Sequence, residues 1–241
     1  EQTRREVQRM IDENSEELVD AFYKDLEFGT GGMRGIMGVG TNRMNKYTIG
    51  AATQGLADYL KQQFPGEEIS VVIGCDVRHN SDVFSRMCAE VLSANGIKAF
   101  LFDGFRPTPE ISFAIRFLHA KSGIIITASH NPPKYNGYKA YWDDGSQVVP
   151  PHDKGIIDQV AKVRVEDIKF TPNEKLIETI GEKVDRAFVE AAVKHGSYDT
   201  TGRDDFKLVY TPIHGTSFKA MIPALELAGF KNVITVTEQM V

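Results

Sequence analysis

Three short apolar runs constrain this chain more than any other feature. They are "ISVVIGCDV" from Ile69, "KAFLF" from Lys98 and "SGIIITAS" from Ser122. None alternates apolar with polar over its centre, so each reads as a strand buried on both faces. Helix-like stretches separate them. Residues 81–95 form one, and "RPTPEISFAIRFLHA" forms another, with Thr108 as N-cap and Pro109 at the first helical position. Strands alternating with helices indicate an α/β fold with crossover connections.

The flanking segments extend this pattern. The stretch to about Lys24 has Val7, Met10, Ile11, Leu18 and Phe22 at helical spacing, and residues 47–63 place Ile49, Ala52, Leu56 and Leu60 on one helix face. Between them runs the glycine-dense "EFGTGGMRGIMGVG". "YKAYW" reads as a short strand, followed by helices near 152–162 and 174–195. The polar, glycine-containing "HGSYDTTGRDD" is a linker, dividing a first domain, 1–198, from the start of a second, 199–241. "FKLVYTP", residues 217–228 and "NVITV" then read as strand, helix and strand. The unit from "VVIGCDV" to "KAFLF" and the unit from "LVYTP" to "NVITV" share one rhythm. Gly96 and Gly229 fall at matching helix C-termini, two residues before Lys98 and Lys231. Any two βαβ units have such a rhythm, and the shared Gly-apolar-Lys tips the reading toward a duplicated domain.

Composition bounds the function. Hydrophobic residues are 41% of 241, enough for a sizeable core, and the net charge of -5 argues against general nucleic-acid affinity. No apolar run is long enough for a membrane span, and the N-terminus is charged from its first residue, unlike a signal peptide. Cys75 and Cys88 have no metal-type spacing, so a reducing cytoplasm is the expected compartment. The missing initiator Met and the ending "TVTEQMV" suggest a piece of a longer protein. Oligomeric state is not readable.

Four segments carry chemistry. In "SGIIITASHNPPKYNGYK", Ser129 ends a buried strand, where ligands of open α/β sheets collect. It lies outside any G-x-S-x-G elbow, and His130, its neighbour, points the other way in an extended chain. A serine hydrolase therefore lacks both its base and its oxyanion loop. Pro132 and Pro133 stiffen the loop, Gly137 permits close backbone approach, and Lys139 returns toward the serine if the loop folds back. Spacing alone fits a rigid polar turn somewhat better than an anion-handling catalytic loop. In "FGTGGMRG", glycines could converge N–H groups on an anion with Arg34 as a phosphate fork, or form a surface hairpin. "GCDVRHNS" reads as an internal Asp76–Arg78 pair with Ser81 capping the next helix. "YTPIHGTS" holds Thr211, His214 and Ser217 after a strand, His214 reading as structural.

Together these segments resemble a known family. "TASHNPPKYNGYK" is similar to the phosphoserine loop of the α-D-phosphohexomutases, the phosphoglucomutase/phosphomannomutase superfamily. "FGTGGMRG" resembles its N-terminal signature, "IGCDVRHNS" its Gly-x-Asp-x-Arg segment and "YTPIHGTS" the opening of its second domain. "YNGYKAYWDDGSQVVPP" is especially like the branch with bacterial phosphoglucomutase/phosphomannomutases and phosphopentomutases. The resemblance implies a mixed sheet sandwiched by helices, then the start of a second similar α/β domain. It implies a phosphate shift between C1 and the terminal hydroxyl of a sugar phosphate, by way of a phosphoserine and a sugar bisphosphate. Ser129 matches the phosphoryl carrier, Lys139 the general acid/base and His130 its neighbour at the reacting groups. Arg34, Thr30 and Asn131 fall at phosphate- or substrate-binding positions.

The resemblance also implies Mg²⁺, bound in part through the phosphate on Ser129. The family's Asp-Gly-Asp-x-Asp-Arg metal loop is absent from this chain, which ends before the metal, sugar-binding and phosphate-binding loops would occur. The piece alone is therefore expected to be inactive or nearly so. A phosphoglucomutase/phosphomannomutase is the first expectation. A phosphopentomutase or sugar-bisphosphate synthase of the same family is the alternative, and a non-catalytic sugar-phosphate-binding module is the alternative of another class.

Overall fold

The computed structural model describes residues 1–196 and 199–240. Helices α1 (Gln2–Asp12) and α2 (Glu16–Phe22) lead into strand β1 (Gly32–Ile36) and helix α3 (Lys46–Gln63). Strand β2 (Ser70–Cys75), helix α4 (Ser81–Ala94), strand β3 (Lys98–Phe102), helix α5 (Thr108–Phe117) and strand β4 (Ser122–Ile126) follow. Next come β5 (Tyr135–Trp142), α6 (His152–Val160), β6 (Ile177–Ile180) and α7 (Glu182–Gly196). Last are β7 (Lys207–Tyr210), α8 (Phe218–Leu227) and β8 (Asn232–Thr235).

The first six strands form one mixed sheet in the order β1-β5-β4-β2-β3-β6. β4, β2, β3 and β6 run parallel, while β5 is antiparallel to both β4 and β1. Helices cover both faces, because the central strands are apolar at nearly every position. Val71, Ile73, Ile124, Ile126 and Tyr138 pack with Ile49, Leu56, Cys88 and Leu92 of α3 and α4 on one face. Val72, Ile125, Phe102 and Tyr141 pack with Ile111 and Ile115 of α5 and Val184 of α7 on the other. Each such large apolar side chain taken fully from water contributes about 1.5–3 kcal/mol before entropy is counted. α5 lies very close to the sheet. A Cβ on Gly74 would stand 2.2 Å from Ile111 Cδ1, and one on Gly123 would stand 2.4 Å from Ile115 Cδ1.

The short sheet β7-β8 is parallel with α8 as its crossover. It repeats the β2-α4-β3 unit, with Gly96 and Gly229 at φ of 78° and 91° just past the two helices. Both lysines of the repeat make ion pairs, Lys98 to Glu178 at 2.7 Å and Lys231 to Asp204 at 2.8 Å. The expected boundary between 198 and 199 touches residues 197 and 198, which lie outside the described residues.

Several expected elements differ. The N-terminal helix is two helices: Asn14 takes φ 48°, and the Ser15 hydroxyl caps α2 by accepting from Glu17 N at 3.3 Å. Thr108 is not the N-cap of α5. Pro107 holds that place in extended geometry, with Thr108 and Pro109 inside the first turn. The helix expected over 174–195 begins instead with a 3-10 turn and then β6, whose "IETI" pairs with β3, before Gly181 and α7. The glycine-dense segment contains β1, an edge strand.

Candidate active site

The chain leaves β2 through α4 to β3 on one side, then returns through α5 to β4 on the other. The carboxyl ends of β2 and β4 thus flank a topological switch point, where open α/β sheets bind ligands. Asp76–Arg78 follow β2 there, and Thr127–Ser129 follow β4. The ends are joined directly, since Asp76 N donates to Ile126 O at 3.1 Å.

Ser129 is exposed and left-handed, with φ 55°. Non-glycine residues adopt that region only where their surroundings hold them there. Its N–H donates to Thr127 Oγ1 at 3.0 Å, and the Thr127 hydroxyl donates in turn to Asp76 Oδ2. The other Asp76 oxygen accepts from Arg78 N at 3.0 Å and from Ser81 Oγ at 3.1 Å. Buried Asn136 donates to His79 O at 3.1 Å and Ser81 Oγ at 3.0 Å, and accepts from Gly137 N at 2.8 Å. Two turns complete the loop, Asn131 N to Ala128 O at 3.1 Å and Tyr135 N to Pro132 O at 2.9 Å.

Arg78 does more than pair with Asp76, whose Oδ2 lies 3.4 Å from its Nε. Its Nη2 donates to the carbonyls of Ser129 and Asn131, each at 2.6 Å. Its Nη1 donates to the carbonyls of Pro132 and Tyr135, each at 3.1 Å. Ser81 is the first residue of α4 rather than its cap. Left-handed Asn80 holds the N-cap position without a side-chain capping bond, its Nδ2 donating instead to Met37 Sδ at 3.7 Å, and the Ser81 hydroxyl faces Asp76.

The other candidates gather around this loop to different degrees. Arg34 on β1 is exposed and donates through Nη1 to Asn131 Oδ1 at 2.8 Å. Arg34 is the partner of Gly137 and Gly32 that of Lys139, so Arg34 and Lys139 are diagonal neighbours on one face of the sheet. Lys139 is half-buried, deeper in β5, opposite Ile125. Gly137 is required between them, because a Cβ there would lie 2.6 Å from Thr127 O. Thr30 is exposed in the turn before β1; its neighbour Gly31 accepts from Ala140 N at 2.9 Å, which sets the turn beside Lys139. No side-chain hydrogen bond of Thr30 is present among the described residues.

His130 is exposed, with Nδ1 3.4 Å from Ser129 Oγ. The two side chains are not opposed as in extended chain, because Ser129 is left-handed. The distance is nevertheless well beyond the usual O–H hydrogen bond. In the second unit His214 is exposed, the Thr211 hydroxyl donates to Gln239 Oε1 at 2.5 Å, and Ser217 Oγ lies 2.7 Å from Tyr210 Oη.

The sequence reading missed Arg78, Thr127 and Asn136 as parts of the Ser129 loop. A polar residue directly after each buried strand, Asp76 and Thr127, was the available signal. No group of three or more His, Cys, Asp or Glu side chains positioned for a metal occurs among the described residues. Asp76 is taken up by its three donors.

A family model described as phosphoglucomutase/phosphomannomutase, alpha/beta/alpha domain I, matches residues 25–167. The chain is 38% identical over 241 aligned positions to a Schizosaccharomyces pombe protein named as a probable phosphoribomutase, covering 95% of this chain and 40% of that protein. It is 35% identical to a phosphoglucomutase of Staphylococcus haemolyticus, covering 90% and 40%, and 37% identical to the human phosphopentomutase, covering 87% and 36%. The chain thus spans about 40% of the length of the curated relatives it matches. Among solved structures, that of a Thermus thermophilus protein assigned as a phosphomannomutase superposes with a TM-score of 0.75 at 26% identity, covering 90% of this chain and 47% of that one. The family model covers more than half of the chain, on the same mixed sheet that carries the Ser129 loop. This chain belongs to the phosphoglucomutase/phosphomannomutase family.

Proposed function

We propose that Ser129 is a phosphoryl carrier and that the chain is the phosphoserine-bearing part of a phosphosugar mutase. The observation that carries this reading is the exposed Ser129 hydroxyl, held left-handed at the switch point between β2 and β4. In the first step a sugar-phosphate hydroxyl attacks the phosphorus of phosphoserine. A new P–O bond forms to the sugar, the P–Oγ bond breaks, and Ser129 Oγ takes a proton as the attacking hydroxyl loses one. The resulting sugar bisphosphate turns over and returns its other phosphate to Ser129 by the reverse chemistry. Such transfers depend on positioning and charge neutralisation more than on covalent assistance. Arg34 supplies charge on the open side of the loop, and Lys139 is the proton carrier for the two oxygens.

The described residues do not make a magnesium site by themselves. A phosphate on Ser129 would be the ligand this chain offers, and any further ligands would have to come from elsewhere in the full-length protein. A bound Mg²⁺ would neutralise phosphate charge as a Lewis acid.

A hexose phosphate of the glucose or mannose type is the first substrate reading. A pentose phosphate is the second, favoured by relatives at 38% and 37% identity that are named for ribose or pentose phosphates. The test uses the full-length protein. It is incubated with hexose 1,6-bisphosphate or pentose 1,5-bisphosphate, phosphate is mapped by mass spectrometry, and turnover of each monophosphate is compared. Phosphate on Ser129 and loss of turnover in Ser129→Ala are expected. No phosphate there, with full activity in Ser129→Ala, would overturn the reading.

A further inference from the structure

An arginine beside a phosphoryl carrier is ordinarily taken for a phosphate ligand. Arg78 is placed otherwise. Its side chain is 11% exposed, both terminal nitrogens donate to loop carbonyls, and Nε faces Asp76 at 3.4 Å. Those four carbonyls belong to Ser129, Asn131, Pro132 and Tyr135, and so span the whole reversal from β4 into β5. Both terminal nitrogens are used up inside the loop, while Nε, which has no hydrogen-bond partner among the described residues, faces the Asp76 carboxylate that answers the charge. Arg34, by contrast, is exposed and makes one side-chain bond among the described residues, to Asn131.

We propose that Arg78 is a positioning residue, which locks the Ser129 loop from beneath and does not bind substrate phosphate. Asp76 works with it from the same strand end. Through Thr127 Oγ1 it fixes the Ser129 N–H, while Arg78 fixes the Ser129 carbonyl. Both sides of the Ser129 backbone are thereby tied to the β2 end, which sets the direction of Oγ. Loss of Arg78 therefore misaims the hydroxyl without removing any contact to a bound sugar phosphate. Lysine, with three donors on one nitrogen, cannot reach four carbonyls in the fork geometry of arginine, so it restores only part of the order.

The proposal rests on Ser129 as phosphoryl carrier, and the experiment separates the two. Full-length wild type, Arg78→Met, Arg78→Lys and Asp76→Asn are compared in three measurements. These are the rate of Ser129 phosphorylation by sugar bisphosphate, steady-state kcat and KM, and amide exchange of residues 128–136 against residues 70–75. In Arg78→Met the phosphorylation rate and kcat are expected to fall about 100-fold, the scale of a misplacement near 1 Å. KM should stay within about threefold, the pattern of an interaction that does not hold ground-state substrate. Exchange should speed up in 128–136 and not in 70–75, with Arg78→Lys intermediate. A KM increase at unchanged kcat, or loop exchange equal to wild type, would overturn the positioning role. If Arg78→Met does not fold, Arg78→Lys and Asp76→Asn decide by the same criteria. If wild-type Ser129 takes no phosphate, the carrier reading fails, while the exchange comparison still reports whether Arg78 orders the loop.

Discussion

Glu110→Gln gives a test of the fold's charge balance that is independent of catalysis. Glu110 lies in the first turn of α5, is fully buried, and neither carboxyl oxygen has a hydrogen-bond partner among the described residues. Arg106, also buried, stands 3.7 Å from it but donates to Asp185 at 2.8 and 2.9 Å and to Asp103 at 2.7 Å. Lys219 of α8 reaches Asp103 at 3.2 Å. Two cations therefore already face two aspartates, and an ionised Glu110 would be a surplus buried charge. Burial, reinforced by Asp185 and opposed by Arg106 and Lys219, pushes the Glu110 carboxyl up to about 8. The folded chain keeps this proton between the ordinary value of 4.5 and about 8, where the unfolded chain has lost it. Stability from this group is thus full below pH 4.5 and is lost as pH rises to about 8. At about 1.36 kcal/mol per pH unit, the interval is worth on the order of 4–5 kcal/mol. Gln keeps the shape without the charge. Urea unfolding followed by the single tryptophan, Trp142, which stacks on His152 at 3.9 Å, reads the difference. The stability of Glu110→Gln relative to wild type should rise by about 4 kcal/mol between pH 5 and pH 8.5. Parallel stability curves for the two proteins across that range would refute the buried-acid argument.

Other outcomes follow from the site. Gly137→Ala would bring a Cβ within 2.6 Å of Thr127 O and 3.0 Å of Met33 O. It should cost about 1–3 kcal/mol in thermal unfolding and lower Ser129 phosphorylation, and an unchanged melting temperature would contradict the close packing. In the full-length protein, Lys139→Met should slow turnover far more than it weakens substrate binding; equal effects on both would remove its proton-carrying role.

Much of the fold could be read from the chain because the central strands are apolar almost throughout and the crossover helices carry ordinary periodicity. The edges could not. In β1, "GMRGI" needs Gly32 because a Cβ there would stand 1.9 Å from Tyr138 O, and the same glycines weaken the strand signal. In β6, four residues of edge strand sit among helix-favouring Glu and Lys, and only pairing with distant β3 decides their state. At the site, Ser129, Arg34 and Lys139 stood out by residue type. The role of Arg78 did not, since its acceptors are backbone carbonyls 51 to 57 positions away. Likewise the approach of His130 to Ser129 depends on a left-handed residue that no local pattern announces.

The most direct measurement is a single-turnover transfer from full-length protein carrying labelled phosphate on Ser129. On mixing with unlabelled sugar monophosphate, the label should leave Ser129 and enter sugar bisphosphate at a rate no slower than steady-state turnover. Label that stays on Ser129 while the monophosphate is isomerised would contradict a phosphoryl-carrier role for this serine.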